Sequence, residues 1–302
     1  MLLNKIHPIN LNFTGSDLQI FAFVVESDDG PIVIETGPHS CLPVLESGLK
    51  RLGYKKTDVK HVLLTHIHLD HAGGAWCFAE HGAQIYLNPL GYRHMNNPEK
   101  LLASAVRIYG DLMDTLWGTL KPIPAEQLKS LEDGEELQIG NLKFTSWHTP
   151  GHAKHHTAWQ LDNVLFTGDL AGIKRTEGPV IPPLPPPDID IDLWISNINK
   201  MLDISHIDTY YATHGSLITD VNAHMNQLKD ALVSFSEFTK PYYEAGTPVM
   251  EILPPFIEFV SKKLSSEGMS TDQINTFLEG GALIADLHGL MRYWSKKLPN
   301  VS

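Results

Sequence analysis

Three histidines and an aspartate stand within one short stretch of this chain, the run Thr65-His66-Ile67-His68-Leu69-Asp70-His71-Ala72-Gly73-Gly74. The run follows Val62-Leu63-Leu64, whose apolar character predicts a short buried strand. Alternate side chains of an extended segment share a face, so His66 and His68 can point at one metal ion. The small residues at the end of the run predict a turn, where Asp70 and His71 can address a second ion. The spacing therefore favours a metal site.

The composition narrows the classes of partner. The chain has 302 residues, of which 42% are hydrophobic and 19% charged, as in soluble globular proteins. Its formal charge of −12 and its lack of basic runs argue against binding to nucleic acid. Neither a bilayer span nor a signal peptide is evident, so we expect no membrane partner. We expect a cytoplasmic protein with a small-molecule substrate, and reduced, buried thiols at Cys41 and Cys77.

The first two thirds of the chain alternate strand-like and helix-like patterns. The runs from Leu18 to Val25 and from Pro31 to Ile34 predict a hairpin with an Asp-Gly turn. Apolar residues at helical spacing predict a helix over 42–52 and mainly helical structure over 91–118. Strands alternating with helices indicate a layered α/β domain.

The last third has a different character. The run from Pro179 to Pro187 excludes a helix interior or a central strand and predicts an extended surface segment. A helix is predicted over 190–202, and helices dominate from about residue 223 onward. We therefore predict a catalytic domain over 1–222 and a helical accessory region over 223–302. Prolines are predicted to mark the breaks between its helices, at Pro241, Pro248, Pro254 and Pro255.

Three later positions have the same layout as the first motif, with a metal-competent residue shortly after an apolar β run. These residues are His152, Asp169 and His214. Residues that follow strands at one edge of a sheet can converge on a single site. A lone histidine is more often structural, whereas such positions in order along the chain favour a metal centre.

Together these motifs resemble the metallo-β-lactamase superfamily, in its branch with the H-x-H-x-D-H signature. The resemblance covers about residues 15–220 and includes Glu35-Thr36-Gly37, where the family commonly has Asp-Thr-Gly. The glutamate is expected to touch no ligand. The resemblance implies an α/β fold, namely a four-layer αββα sandwich with a C-terminal helical appendage. By position it implies two ions, one held by His66, His68 and His152 and the other by Asp70, His71 and His214, with Asp169 as the bridge.

The chemistry implied by this site is hydrolysis by a hydroxide held between two divalent ions. We expect zinc, and iron or manganese fits the same ligands. Two close ions lower the pKa of a shared water and polarise the oxygen atom of the bond under attack. Asp70 is the candidate catalytic residue, because it can orient the attacking water or accept its proton.

The signature is most similar to that of the glyoxalase II and acyl-homoserine lactonase relatives, which cleave thioesters and lactones. We therefore predict a binuclear metallohydrolase that cleaves an ester-like bond, with a thioester or a lactone favoured. The alternative within hydrolases is a phosphodiesterase that acts on a small substrate. Outside hydrolysis, the alternatives are a di-iron redox protein and a metal-binding protein without turnover.

Other residues are candidates for supporting roles. His148, His155 and His156 flank His152, and such neighbours commonly orient ligating imidazoles. His156 and Trp194 are our candidates for substrate contact, although a tryptophan in this position is more often part of a core. The helical tail and the proline run are predicted either to roof the metals and select the substrate or to form a homodimer contact.

Overall fold

A computed structural model describes residues 2–15, 20–174, 178–279 and 281–299. The chain divides into two units. The first unit comprises residues 1–148, 155–168 and 206–219, and the second comprises residues 149–154, 169–205 and 220–302. The second unit thus contains the predicted helical region together with two earlier segments. The predicted domain boundary at residue 222 stays a prediction.

The first unit contains two sheets. One sheet has the strand order β1-β2-β3-β4-β5-β6, antiparallel up to β3 and parallel from β3 onward. The predicted hairpin is present as β2 and β3, although Leu18 and Gln19 lie outside the described residues. The strands of this sheet are β1 Ile6–Asn10, β2 Phe21–Ser27, β3 Gly30–Ile34, β4 His61–Leu63, β5 Gln84–Leu87 and β6 Leu128–Ser130.

The other sheet is mainly antiparallel and is built from strands later in the chain. Its strands are β7 Glu136–Ile139, β8 Leu142–His148, β9 Thr157–Leu161, β10 Val164–Phe166, β13 Thr209–Ala212 and β14 Ser216–Ile218, in the order β14-β13-β10-β9-β8-β7. Among the described strands of this sheet, β10 and β13 alone pair in parallel. Because of this pairing, the chain leaves β10 and β13 at the same edge, just before Asp169 and His214.

The two sheets pack face to face through aromatic side chains. The Phe23 ring lies 5.4 Å from the rings of both Phe166 and Tyr211, between centroids. Alternate residues of the first sheet, such as Val24 and Val33, face a second core that includes Leu45. The helices of this unit are α1 Leu42–Arg51, α2 Leu69–Ala72, α3 Ala75–Ala79, α4 Pro89–Asn96, α5 Glu99–Tyr109 and α6 Met113–Leu116. The predicted α/β class, with its sandwich of two sheets and its C-terminal helices, is confirmed.

The second unit is mainly helical. Its helices are α7 Ile191–Leu202, α8 Val221–Glu244, α9 Val249–Ser266, α10 Thr271–Glu279 and α11 Ala282–Lys297, and β11 Ile173–Lys174 pairs with β12 Val180–Ile181. Pro248 precedes the first turn of α9 as predicted, but Pro241, Pro254 and Pro255 lie inside helices, so those breaks are wrong. A proline in a helix interior costs a hydrogen bond. In α9 the burial of residues at helical spacing, such as Phe256, offsets that cost.

The proline segment, residues 182–187, is only in part the surface segment that its composition predicts. Leu184 is fully buried and Pro182 is buried as well. Residues 182–185 have no regular secondary structure and residues 186 and 187 lie in a turn, and the segment packs against α11. Its Leu184 N–H donates to Asp286 Oδ1 in α11 over 2.7 Å. The prediction that no helix runs through these residues is confirmed, whereas the predicted surface exposure is wrong at Pro182 and Leu184 and holds at Pro187.

Two further expectations concern compartment. Among the described residues, no helix combines the length and the apolar character that crossing a bilayer requires. Cys41 and Cys77 are free and buried, as expected.

Candidate metal centre

The H-x-H part of the motif forms an extended loop after β4 that is fixed by the opposite sheet. Thr157 N–H donates to the Thr65 carbonyl over 2.7 Å, and Trp159 Nε1 donates to the Leu64 carbonyl over 3.0 Å. In this loop His66 Nε2 lies 3.0 Å from His68 Nδ1. The two imidazoles therefore present ring nitrogens to one point, as the alternation of an extended segment predicts.

The second half of the motif begins helix α2 and joins a residue from the end of the sheet. One oxygen of Asp70, Oδ2, lies 3.5 Å from His71 Nε2 and 3.3 Å from His214 Nε2. Ligand atoms of Asp70, His71 and His214 all lie within 4.8 Å of one another. Two imidazoles and one carboxylate at this spacing are positioned to bind a metal ion.

Asp70 is held in its ionised form. Burial alone would raise the pKa of its carboxyl, but the charges and hydrogen bonds of His71 and His214 outweigh burial and lower that pKa well below its usual range. A carboxylate that stays ionised can ligate a cation or accept a hydrogen bond from water. The role predicted for Asp70 requires both capacities.

The Glu35-Thr36-Gly37 stretch after β3 holds the turn that carries Asp70 and His71. Thr36 N–H donates to the His71 carbonyl over 2.8 Å, and Thr36 Oγ1 donates to the same oxygen over 3.0 Å. Thr36 Oγ1 in turn accepts from Gly74 N–H over 3.2 Å. A single threonine thus spans the turn, because β3 and β4 are adjacent parallel strands and their ends meet.

Glu35 contacts a candidate ligand, which corrects the expectation that it would touch none. It is fully buried. Its Oε1 accepts from Thr65 N–H over 3.2 Å, and its Oε2 lies 3.5 Å from His71 Nδ1. A carboxylate against the second nitrogen of a ligating histidine fixes the orientation of the ring. Glu35 also has a φ of 63°, a strained value for a residue with a side chain and one often found at functional sites.

In the second unit, His152 and Asp169 form a pair. His152 Nε2 lies 3.2 Å from Asp169 Oδ2, and both side chains are almost fully buried. His152 Nδ1 is 2.9 Å from the Pro183 carbonyl, which can only accept, so the ring donates through Nδ1. A neutral imidazole that donates through Nδ1 keeps the lone pair of Nε2 for a metal ion. The proline segment therefore sets the tautomer that a ligand needs.

Trp194 lies directly against this pair. The residue is fully buried, its ring is T-shaped against His152 at 5.5 Å, and its Nε1 donates to the Leu170 carbonyl over 3.0 Å. The packing is so close that a Cβ on Gly151 would lie 2.4 Å from the Trp194 Cα atom. The contacts of Trp194 support His152 and the short segment that follows Asp169. Its assignment to substrate contact stays a prediction.

The three histidines that flank His152 differ in where they lie. His148 is held in strand β8, where its Nε2 is 2.9 Å from the Leu131 carbonyl. The His155 ring lies 5.6 Å from that of His68, and the His156 ring lies 5.1 Å from that of His66. His155 and His156 are thus neighbours of the ligand loop. The proposed substrate contact of His156 stays a prediction.

Gly168 shows how tightly this region is packed. Its φ is 50°, and a Cβ there would lie 2.4 Å from Thr65 Oγ1 and 2.8 Å from His156 Nε2. A side chain at this position would therefore push against the loop that carries His66.

Two contributors lie outside the sequence motifs. The Pro183 carbonyl could not be recognised, because backbone groups leave no trace in residue identities. Asp286 could have been recognised in the sequence, because it stands in an apolar helical stripe with Leu283, Leu287 and Leu290. A carboxylate in such a stripe is a readable sign of a buried charge with a specific partner.

Comparison with known proteins agrees with the motif. The sequence profile of the Metallo-beta-lactamase superfamily matches residues 15–214. The metallo-beta-lactamase fold-containing protein ST1585 of Sulfurisphaera tokodaii is 30% identical over 178 residues, which are 56% of this chain and 66% of that protein. The structure of the metallo-beta-lactamase family protein TTHA1429 from Thermus thermophilus has a TM-score of 0.69 at 20% identity, covering 98% of this chain and 95% of that one.

Two enzymes are also similar, at lower identity. An atrochrysone carboxyl ACP thioesterase of Aspergillus fumigatus is 26% identical over 200 residues, covering 63% of this chain and 38% of the enzyme. An N-acyl homoserine lactonase of a Bacillus species is 24% identical over 213 residues, covering 62% of this chain and 77% of the enzyme. The chain thus spans less than two thirds of the length of two of these curated relatives, ST1585 and the thioesterase.

Proposed function

Because the chain belongs to the metallo-beta-lactamase superfamily, we propose that it is a metal-dependent hydrolase of a small substrate with a thioester or lactone bond. The proposal assigns Asp70 as the catalytic residue. It assigns two divalent ions, best matched by zinc, to seven ligands: His66, His68 and His152 for one ion, Asp70, His71 and His214 for the other, and Asp169 as the bridge.

The observation that carries the proposal is the group formed by Asp70, His71 and His214. Their ligand atoms lie within 4.8 Å of one another, and the carboxylate faces both imidazoles. Without a cation, two buried imidazoles aimed at one half-buried carboxylate have no evident packing benefit, since burying polar groups is costly. The similarity to a thioesterase and a lactonase supports the choice of bond.

The donor set fits metal ions. Imidazole nitrogens and carboxylate oxygens suit zinc, and they also suit iron and manganese. His152 donates through Nδ1 to the Pro183 carbonyl, so its ring keeps Nε2 for a ligand, and His71 Nδ1 lies 3.5 Å from Glu35 Oε2. Outer contacts of this kind accompany most metal-bound histidines.

When bound, two such ions supply a water with a lowered pKa and polarise the carbonyl oxygen of the substrate. The protein's own side chains position that water and accept its proton. Asp70 stays ionised because of His71 and His214, so its carboxylate can hold a water by accepting its hydrogen bond. Glu35 and Thr36 keep Asp70 and His71 in place through the turn that they clamp.

The test begins with the metal content. Protein purified under metal-replete conditions should contain about two transition-metal ions per chain by elemental analysis, because seven ligands suit a binuclear site. A stoichiometry that stays at zero would refute the proposal. His214→Ala is the matched ligand variant, and His148→Ala, which alters a histidine held in a strand, is its control.

The second step identifies the substrate class. Metal-quantified protein is assayed against thioesters, lactones and small phosphodiesters. Hydrolysis of a thioester or lactone that is lost in Asp70→Asn supports the proposal. A preference for phosphodiesters, or full metal content without any hydrolysis, would instead favour one of the alternative functions. The two roles predicted for the helical tail, substrate selection and a homodimer contact, stay predictions. The molecular mass of the protein in solution tests the homodimer.

A further inference from the structure

Side chains of helix α11 form hydrogen bonds to the backbone of the proline segment. Leu184 N–H donates to Asp286 Oδ1 over 2.7 Å. All other residues from 182 to 187 are prolines, which carry no N–H. Asp286 therefore binds the single backbone donor that this segment possesses.

The same face of α11 contacts the segment at further positions, about one to three turns along the helix. The backbone at Gly289 approaches so closely that a Cβ there would lie 1.8 Å from the Leu184 carbonyl oxygen. Arg292 Nε and Lys296 Nζ donate to the Pro187 carbonyl over 3.0 Å and 2.7 Å. Residues 286, 289, 292 and 296 recur at helical spacing. One face of α11 thus grips the segment along its length.

The peptide group that Asp286 holds is the one that holds His152. The Leu184 N–H and the Pro183 carbonyl are opposite ends of one peptide bond, whose atoms lie close to a plane. The Pro183 carbonyl accepts from His152 Nδ1 over 2.9 Å. A rotation of this plane would break both contacts at once. The orientation of His152 is therefore coupled to Asp286 through a single rigid group.

The cost of placing Asp286 in the core indicates that its contact matters. The residue is 5% exposed and lies near the fully buried side chains of Leu287 and Leu290 along the helix. Burial raises the pKa of its carboxyl to about 7, although the Leu184 N–H opposes the shift. An apolar residue would fill this place without the cost of burying a carboxyl group.

We propose that Asp286 is a positioning residue for His152. By fixing the peptide group between Pro183 and Leu184, it keeps the Nδ1–H of His152 engaged and directs Nε2 toward Asp169. This inference rests on the proposed function, in which His152 and Asp169 bind metal. It gives the C-terminal helix a role in metal binding that is independent of substrate selection and of dimer formation.

The experiment compares zinc affinity among variants of α11, measured by titration against a competing chelator. Asp286→Ala should lower the affinity for one of the two zinc ions about tenfold or more, as the loss of an outer partner of a metal-bound histidine commonly does. Asp286→Asn should restore the affinity, because its amide oxygen can still accept from Leu184 N–H. The control is Leu290→Ala, which removes a fully buried side chain from the same helix and should lower the Tm without changing zinc affinity.

A second variant keeps the test decisive if Asp286→Ala does not fold. The double substitution Arg292→Ala and Lys296→Ala removes two exposed donors to the Pro187 carbonyl. It should lower the affinity for the same ion by a few-fold. Wild-type affinity for both ions in every folded variant would overturn the inference, as would equal weakening in Leu290→Ala. A wild-type protein that binds no zinc would instead refute the proposed function itself.

Discussion

The ligand loop in the first unit and the His152–Asp169 pair in the second are supported in different ways. In the loop, the candidate ligands lie within six consecutive residues, and Glu35 and Thr36 support them from the end of the adjacent parallel strand. In the pair, the ligands come from separate segments, and the support includes the Pro183 carbonyl and Asp286, which lies 102 residues after Leu184. Sheet order explains the first arrangement, whereas only tertiary packing explains the second.

This difference shows which candidate ligands are positioned by the sheet alone and which depend on tertiary packing. Neighbouring strand ends meet wherever a sheet forms, so the residues after β3 and β4 come together with the sheet itself. The orientation of His152 instead depends on how helices and an irregular segment pack. We therefore expect the loop to tolerate changes in the helical unit, and the pair to be sensitive to them.

The strongest test of the comparison removes the shared carboxylate. Asp169→Ala should lose metal and activity together, because in the proposed site two cations would then repel each other at short range without a bridge. Elemental analysis and turnover with the best substrate measure the effect. Retention of both ions with normal turnover would contradict the assignment of Asp169.

Glu35→Gln tests whether the loop is supported through His71. The amide oxygen can still accept from Thr65 N–H, so the Tm should change little. The amide NH₂ would then face His71 Nδ1, which favours a proton on Nε2 and opposes metal binding. We expect zinc affinity to fall about tenfold, as for other outer partners of metal-bound histidines. In Glu35→Ala the buried Thr65 N–H loses its acceptor, and the free energy of unfolding should fall by about 1–3 kcal/mol as well.

The pH dependence of stability tests the environment of Asp286. Its folded pKa of about 7 lies above the ordinary aspartate value of 3.8, so the folded state binds the proton more tightly than the unfolded state does. The stability that this residue contributes is therefore greatest at low pH and falls as the pH rises from about 4 to about 7. The amide in Asp286→Asn cannot ionise, so the Tm of this variant minus the Tm of the wild type should increase over that window and then level off. A constant difference in Tm across the same window would contradict the burial argument.

The smallest expected effect on metal content belongs to His156→Ala. The ring is fully buried beside His66, but it is not among the proposed ligands. Most of the metal should be retained, with a lower Tm from the cavity. Metal content measured beside that of His66→Ala decides this, since an equal loss in both variants would make His156 a ligand.

Much of the fold was predictable because its signals are local. The β2–β3 hairpin and the helices α1 and α7 follow from turn residues and apolar spacing, and the structure has all of them. The prediction of a helix break at Pro254 and Pro255 was wrong. The sequence shows the local cost of a proline in a helix, but it does not show that the burial of Ile252 and Phe256 outweighs this cost. The exposure of the proline segment was misjudged for a related reason, since its burial depends on a helix far along the chain.

The candidate site was predictable to the extent that its chemistry resides in side chains. Histidines and aspartates after strands are visible in the sequence, and the group of Asp70, His71 and His214 is brought together as expected. The contact of Glu35 with His71 was missed because residue 35 has a left-handed backbone conformation that the sequence does not reveal. The Pro183 carbonyl was missed because any residue carries one.

The proline content of residues 182–187 has a consequence for observing this protein in solution. Amide hydrogen exchange and most backbone NMR experiments detect N–H groups, and in this stretch Leu184 carries the only one. That proton is bonded to Asp286, so it exchanges with solvent only when the segment separates from α11. In protein labelled with ¹⁵N-leucine, the resonance of Leu184 would then report the opening rate of the peptide group that orients His152.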